Sequence, residues 1–262
     1  RRGTVKVEKV GPGYAICADS TVPGIQAVVR QLTGDVPLII ADPPYGNVLK
    51  AGWDRRYGDD EEKFVVWMKG WTLIWSRIMM PNSAFYVWGG IGRPGFRPFF
   101  RYLAEVEKMK EANLKIANLI TWKKKRAYGV QHNYLFTREE CVYLFKGDDI
   151  KKPRCFNVPL LEEKRGYAGY NKKYPAKSEQ YRRTNVWTDV TEVMRDKVHD
   201  AQKAQRVIEV PIEVHTQPGE WVIDPFVGSG TTALAALKLG RRFVVIERDE
   251  QIYRQMVERL VE

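Results

Sequence analysis

A chain of 262 residues with 44% hydrophobic content is long enough for one sizeable α/β domain with an insertion, or at most two domains. It carries 43 Lys and Arg against 32 Asp and Glu, a formal net charge of +11, which favours a polyanionic partner through counterion release and steering. Three cysteines, Cys17, Cys141 and Cys155, contain no C-x-x-C pair and are odd in number. That argues against a disulfide framework or a zinc site and suits a reducing compartment.

No apolar run approaches the ~18 residues of a membrane span. The opening Arg1-Arg2-Gly3-Thr4 is too polar for a secretory leader and lacks an initiator Met, which points to trimming. In chain order, Tyr14–Cys17 is a short apolar run ending in Ala18-Asp19-Ser20. Val36–Ala41 is a second, ending in Asp42-Pro43-Pro44-Tyr45. Each predicts a buried strand with a polar residue at its C-terminal tip. Residues Glu61–Met80 place apolar side chains on a helical period and predict a helix that stops before Pro81. Ala84–Trp88 predicts a strand running into Gly89-Gly90, and Phe96–Asn113 a second helix. Ile116–Trp122 and Cys141–Phe145 are two more strand-like runs.

Periodicity then fades. Between Gly147 and Asp189 ten Lys and Arg face six acids, with tyrosines interleaved at 167, 170, 174 and 181. This stretch is expected to contact nucleic acid, with an exposed loop as the plainer alternative. Trp221–Ile223 and Phe243–Ile246 predict strands around a helix over Thr231–Leu239, and a last helix spans about Asp249 to Leu260. Strands alternating with helices imply a largely parallel sheet covered on both faces.

Two motifs carry chemistry. Asp224-Pro225-Phe226-Val227-Gly228-Ser229-Gly230-Thr231-Thr232 is a strand tip, a glycine-rich turn and a helix start. Glycines let the backbone approach a ligand closely, and the helix N-terminus favours an anionic group. Glu247, about twenty residues on, ends the next strand, where an acid accepts hydrogen bonds from ribose hydroxyls. The turn alone fits a nicotinamide dinucleotide as well as S-adenosylmethionine. Asp224 decides between them, because a carboxylate there meets the ammonium of a methionine moiety and would repel a pyrophosphate.

The second motif is Asp42-Pro43-Pro44-Tyr45. An exocyclic base amine is a weak nucleophile, its lone pair being delocalised into the ring. Hydrogen bonds from it to the Asp42 carboxylate and the Pro43 carbonyl localise that lone pair. Pro44 stiffens the turn, and Tyr45 offers a face for an extruded base. Methylation of a cytosine ring carbon would instead need a thiol nucleophile after a proline, and Ile16, Glu140 and Arg154 precede the three cysteines. Direct transfer without a covalent enzyme–base adduct is expected.

With these motifs in this order, the chain resembles the β class of amino-directed DNA methyltransferases over about Tyr14 to Leu260. That resemblance implies an α/β Rossmann-like methyltransferase fold. Its mostly parallel mixed sheet has helices on both faces, a circularly permuted motif order and a small target-recognition insertion. It divides the chain into a catalytic half (1–146), the insertion (147–190) and a cofactor-binding half (191–262). Carried over, Asp19 contacts the cofactor adenine. Asp42, Pro43, Pro44 and Tyr45 are catalytic, and Asp224, Phe226, Gly228, Ser229, Gly230, Thr231 and Glu247 hold S-adenosylmethionine. His199-Asp200-Ala201-Gln202-Lys203 resembles the family's His-Pro-Thr-Gln-Lys-Pro, with Asp200 and Ala204 in place of its prolines. It directs Lys203 to the cofactor carboxylate.

The resemblance implies N6 of adenine in duplex DNA as target, N4 of cytosine as the alternative, and base flipping with no metal. It also implies a cytoplasmic prokaryotic or phage setting. It leaves open a homodimer and a cognate restriction endonuclease. Lys123, Lys124, Lys125, Arg126, Lys172, Lys173, Arg182 and Arg183 are the expected DNA contacts. RNA methylation, a DNA-binding module without catalysis, and a nicotinamide oxidoreductase are the competing readings. The methyltransferase reading turns on whether the strand tips at Asp42 and Asp224 lie close together.

Overall fold

The computed structural model describes residues 5–45, 60–90, 96–129, 131–132, 134–164, 180–190 and 203–261. The chain opens with a hairpin of β1 (Lys6–Val10) and β2 (Gly13–Cys17), then α1 (Ile25–Thr33) and β3 (Val36–Ala41). Every residue of β3 is buried, as a central strand covered on both faces requires. Helix α2 (Glu61–Ser76) begins where the Asp60 carboxylate accepts the Lys63 N–H at 3.0 Å, which satisfies one of the orphan donors of the first turn.

The helix ends four residues earlier than its apolar period suggests. Pro81 does not stop it; Pro81 lies inside β4 (Met79–Gly89). There β3 and β4 shift register between the pairs Val36–Met79 and Leu38–Ala84. At such an irregularity the missing proline N–H costs no ladder bond. Likewise α3 (Phe96–Val106) stops short of Asn113. Asn113 sits at φ +46 in a turn that feeds β5.

Strands β5 (Leu114–Tyr128) and β6 (Phe136–Lys146) form a hairpin much longer than their apolar centres. Two short strands, β7 (Leu160–Lys164) and β8 (Gln180–Arg182), pair antiparallel, and β9 (Val186–Trp187) joins the main sheet beside β5. The chain closes through α4 (Gln205–His215), β10 (Trp221–Asp224), α5 (Thr231–Lys238), β11 (Arg242–Glu247) and α6 (Glu250–Val261).

The nine-stranded sheet runs β1-β2-β11-β10-β3-β4-β6-β5-β9. Its centre, from β2 to β4, is parallel, while β1 and the β4–β6–β5 side pair antiparallel. Side chains alternate across it as the pleat demands. Leu38 and Ile40 join Val207, Ile212, Ala233 and Met256 under α4, α5 and α6. Ile39 and Ala41 join Val29, Trp71, Trp75 and Tyr102 under α1, α2 and α3. The α/β fold with a mostly parallel sheet and two helical layers is therefore present. Among the described residues no helix is long and apolar enough to cross a membrane.

The order of the central strands positions the site. Strands β3 and β10, distant in sequence, are hydrogen-bonded neighbours with Val222 opposite Leu38 and Ile223 opposite Ile39. All parallel strands point one way, so Asp19, Glu247, Asp224 and Asp42 follow four adjacent C-terminal ends. Ligands of open α/β sheets bind at that edge.

Candidate active site

A cavity of about 340 Å³ opens along that edge, bounded by Asp19, Glu247, Asp224, the turn at 226–231, Asp42, Pro44, Trp67 and Lys203. The turn is built by its own carboxylates. Asp224 is buried; one of its oxygens accepts the Phe226 N–H at 2.8 Å and the other the Thr232 hydroxyl at 2.5 Å. Burial pushes its carboxyl up to about 7, more than these donors pull it down.

Gly228 and Gly230 take positive φ values of 54 and 89, which glycine adopts without strain. A Cβ on Gly230 would also stand 2.9 Å from the Met256 side chain. Glu247 accepts the Gly228 N–H at 3.2 Å through one oxygen and the Asp249 N–H at 2.8 Å through the other. Burial raises its pKa, against those donors. Asp19 caps its own turn through the Thr21 N–H at 3.0 Å and hydroxyl at 2.6 Å.

Phe226 packs edge-on against Trp71 at 5.0 Å and Trp67 at 6.1 Å, so α2 supplies an aromatic wall to the cavity. Nothing in the sequence singles out Trp67. Its place on a helical apolar period marks it only as core, and it is the approach of the loop after β10 that makes it part of a ligand wall.

The Asp42–Tyr45 motif, expected to be catalytic, contributes Asp42 and Pro44 to the same cavity. One oxygen of Asp42 accepts the Tyr45 hydroxyl at 2.7 Å; the other lies 3.0 Å from the Lys203 ammonium. Lys203 also donates to the Tyr45 hydroxyl oxygen at 2.9 Å and to Glu139 at 2.8 Å. An ammonium has three protons, and these three partners use them all. Lys203 thus sits on the Asp42 carboxylate, at the edge of the cavity expected to hold the cofactor. The Trp88 ring, 4.7 Å away, packs against the same ammonium.

Burial pushes the Asp42 carboxyl above its ordinary value and Glu139 adds to that, while Lys203 and the Tyr45 hydroxyl oppose it. Burial alone would raise Glu139 too, but Lys203 and Lys124 outweigh it and hold it at about 2. Tyr45 is kept in place from behind, since a Cβ on Gly90 would come within 2.7 Å of its ring.

The expected DNA contacts divide. Lys123, Lys125 and Arg126 are exposed along β5. Lys124, between Lys123 and Lys125 on the strand, turns inward onto Glu139. Arg183 is buried and bonded to Asp189 at 2.6 Å. Arg182 lies exposed over the Phe156 ring at 5.7 Å. Lys172, Lys173 and the His199–Gln202 part of the family-like segment fall outside the described residues.

A mixed α/β sheet with a parallel centre, and a ligand cavity and a carboxylate-held glycine turn at its C-terminal edge, belongs to the nucleotide-binding class of α/β folds. Residues 36–258 match the N6_N4_Mtase family model, described as DNA methylase. The chain belongs to that family and is a DNA methyltransferase of the N6/N4 type. It is 26% identical over 232 residues to the type II methyltransferase M2.DpnII of Streptococcus pneumoniae, across 82% of this chain and 78% of that one.

The crystal structure of the M1.HpyAVI–SAM complex superposes with a TM-score of 0.62 at 22% identity, covering 95% of this chain and 98% of the other. The cytosine-N4-specific PvuII DNA methyltransferase superposes at 0.68 with 17% identity, covering 95% and 86%. At these identities the two structures attest the fold.

Proposed function

We propose that this chain transfers the methyl group of S-adenosylmethionine directly to N6 of adenine in duplex DNA, with the base extruded against Asp42. The observation that carries this reading is the shared cavity: Asp42 and the 226–231 turn line one space although 182 positions part Asp42 from Asp224. The donor set suits the cofactor, because a line of carboxylates along one wall matches a ligand with a cationic ammonium and a sulfonium. When bound, S-adenosylmethionine supplies an electrophilic methyl on sulfur.

The protein's residues do the rest. Asp224 shapes the turn and offers negative charge, Glu247 accepts ribose hydroxyls, and Asp19, Phe226 and Trp67 enclose the purine. Asp42 and the Pro43 carbonyl accept the amine hydrogens and localise the nitrogen lone pair. Tyr45 stacks on the base. Residues 147–190 read the target sequence, and Lys123, Lys125 and Arg126 meet phosphates.

Adenine is favoured by the Asp-Pro-Pro-Tyr motif. Likeness to the PvuII enzyme supports N4 of cytosine as a second reading, since both bases present a similar amine. Incubation of purified protein with methyl-labelled S-adenosylmethionine and unmethylated genomic DNA, followed by mass spectrometry of the nucleosides, decides between them. N6-methyl-2′-deoxyadenosine is the expected product, N4-methyl-2′-deoxycytidine establishes the second reading, and no methylated deoxynucleoside overturns both. Replacing Lys123, Lys125 and Arg126 together by Ala is expected to weaken DNA binding on all sequences and to flatten its salt dependence. The log–log slope should change by about 0.9 for each phosphate that is no longer neutralised.

A further inference from the structure

The ion pair on Asp42 poses a chemical question. Both its oxygens already accept a donor, from Tyr45 and from Lys203. An amine N–H arriving at this carboxylate competes with the Lys203 ammonium. A buried ammonium leaves one carboxylate readily only when a second is within reach, because an unpaired buried charge is costly.

That second carboxylate is Glu139, 2.8 Å from the Lys203 nitrogen. It is fixed in the β5–β6 hairpin opposite Trp122 and carries a second cation, Lys124. We propose that Glu139 is a positioning residue of methyl transfer, the counter-ion on which Lys203 rests while the target amine takes up the carboxylate of Asp42. This rests on the reading of Asp42 as acceptor of the amine hydrogens.

The charged and titratable groups around Asp42 come from four elements. Lys203 precedes α4, Glu139 and the buried Cys141 belong to β6, Tyr45 lies on the loop of Asp42 itself, and Asp224 ends β10. Lys203 is the cation among them. Removing the charge of Glu139 deprives that cation of its alternative and concentrates it on Asp42. It also removes a neighbouring anion, so both effects favour the ionised carboxylate. Removing Lys203 does the reverse. The two substitutions therefore move Asp42 in opposite directions.

Carbon-13 NMR of the Asp42 carboxyl in the unliganded protein reads this without turnover. Glu139→Gln is expected to lower its titration midpoint by about one pH unit, and Lys203→Met to raise it by about one to three. Glu139→Asp, which keeps the charge, is expected to leave it near the wild-type value, and it serves as the second variant should the Gln protein fold poorly. On DNA, Glu139→Gln is expected to lose about tenfold in kcat with S-adenosylmethionine affinity by calorimetry unchanged within about twofold. In a Lys203→Met background the same change is expected to cost nothing further, because Glu139 acts through the lysine.

An unmoved Asp42 titration with wild-type kcat in Glu139→Gln, or losses that simply add in the double variant, overturns the proposal. If the wild-type protein binds S-adenosylmethionine yet methylates no DNA, the functional reading falls and takes this one with it. An active wild type beside an unaffected Glu139→Gln removes this one alone.

Discussion

The two ends of the cavity hold their carboxylates in opposite ways. At the cofactor end, Asp224, Glu247 and Asp19 are held by donors within about twenty residues, mostly backbone N–H groups of their own turns. At the catalytic end, Asp42 is held by Lys203, and Lys203 by Glu139, side chains that only the folded sheet brings together. A carboxylate held by its own turn is organised whenever the turn forms, and it keeps an open face for a ligand. One held by a distant cation can be handed from one partner to another, which suits a group that must accept and release a substrate.

The largest effect expected from this contrast is at Asp42. Asp42→Ala should lower kcat by about 10²- to 10³-fold or more, with S-adenosylmethionine affinity by calorimetry within a few-fold of wild type. Substantial turnover would remove Asp42 from its assigned role. Next, Gly90→Ala forces the Tyr45 ring to move. A misplacement of this kind is expected to cost on the order of 10²-fold in kcat/KM for DNA, again with cofactor binding intact.

The cofactor end is tested by Thr232→Val, which strips a donor from Asp224. Its cost should be about 1–3 kcal/mol, read as a lower Tm and weaker S-adenosylmethionine binding, with the DNA affinity unchanged.

The smallest effect is a pH dependence. With its carboxyl at about 7, Asp224 takes up a proton below that value and loses its attraction for a cation. S-adenosylmethionine affinity should therefore rise by about fivefold between pH 6 and pH 7, and Asp224→Asn should flatten the rise. The sign for stability is opposite. Between the ordinary carboxylate range and about 7 the native protein holds a proton that the unfolded chain has released. This group's contribution thus falls as pH rises through that window.

The same contrast explains what could be read in the sequence. The cofactor turn and the Asp42–Tyr45 loop were legible because each is a strand tip followed by residues whose local geometry is their function. The uninterrupted apolar run of β3 announced a strand buried on both sides. The motif chemistry required the tips at Asp42 and Asp224 to lie near each other; that β3 and β10 are direct neighbours was not part of that requirement.

Helix α4 escaped notice because Pro211 lies within it; proline there forfeits a bond, and packing on α5 and β3 offsets the loss. Helix α1 puts Ile25, Val29 and Leu32 on one face, but it is only nine residues long and opens on Gly24 without the Ser, Thr, Asp or Asn that marks a helix start. Glu139 stands in an acidic pair at a strand entrance, where an exposed side chain is the ordinary expectation. Its two lysines come from 15 residues before it and 64 after it. Nothing local marks such a residue.

The adjacency of β3 and β10 also has a consequence for synthesis. The ribosome completes β3 about 180 residues before β10 emerges, an interval of roughly 10 to 40 s at ordinary elongation rates. Until then one flank of an entirely apolar strand, VPLIIA, has no partner, and such an edge is a template for pairing with another nascent chain. Premature termination before Trp221 would leave that edge permanently bare. Truncated products are therefore expected to accumulate as insoluble material rather than as half-built enzyme.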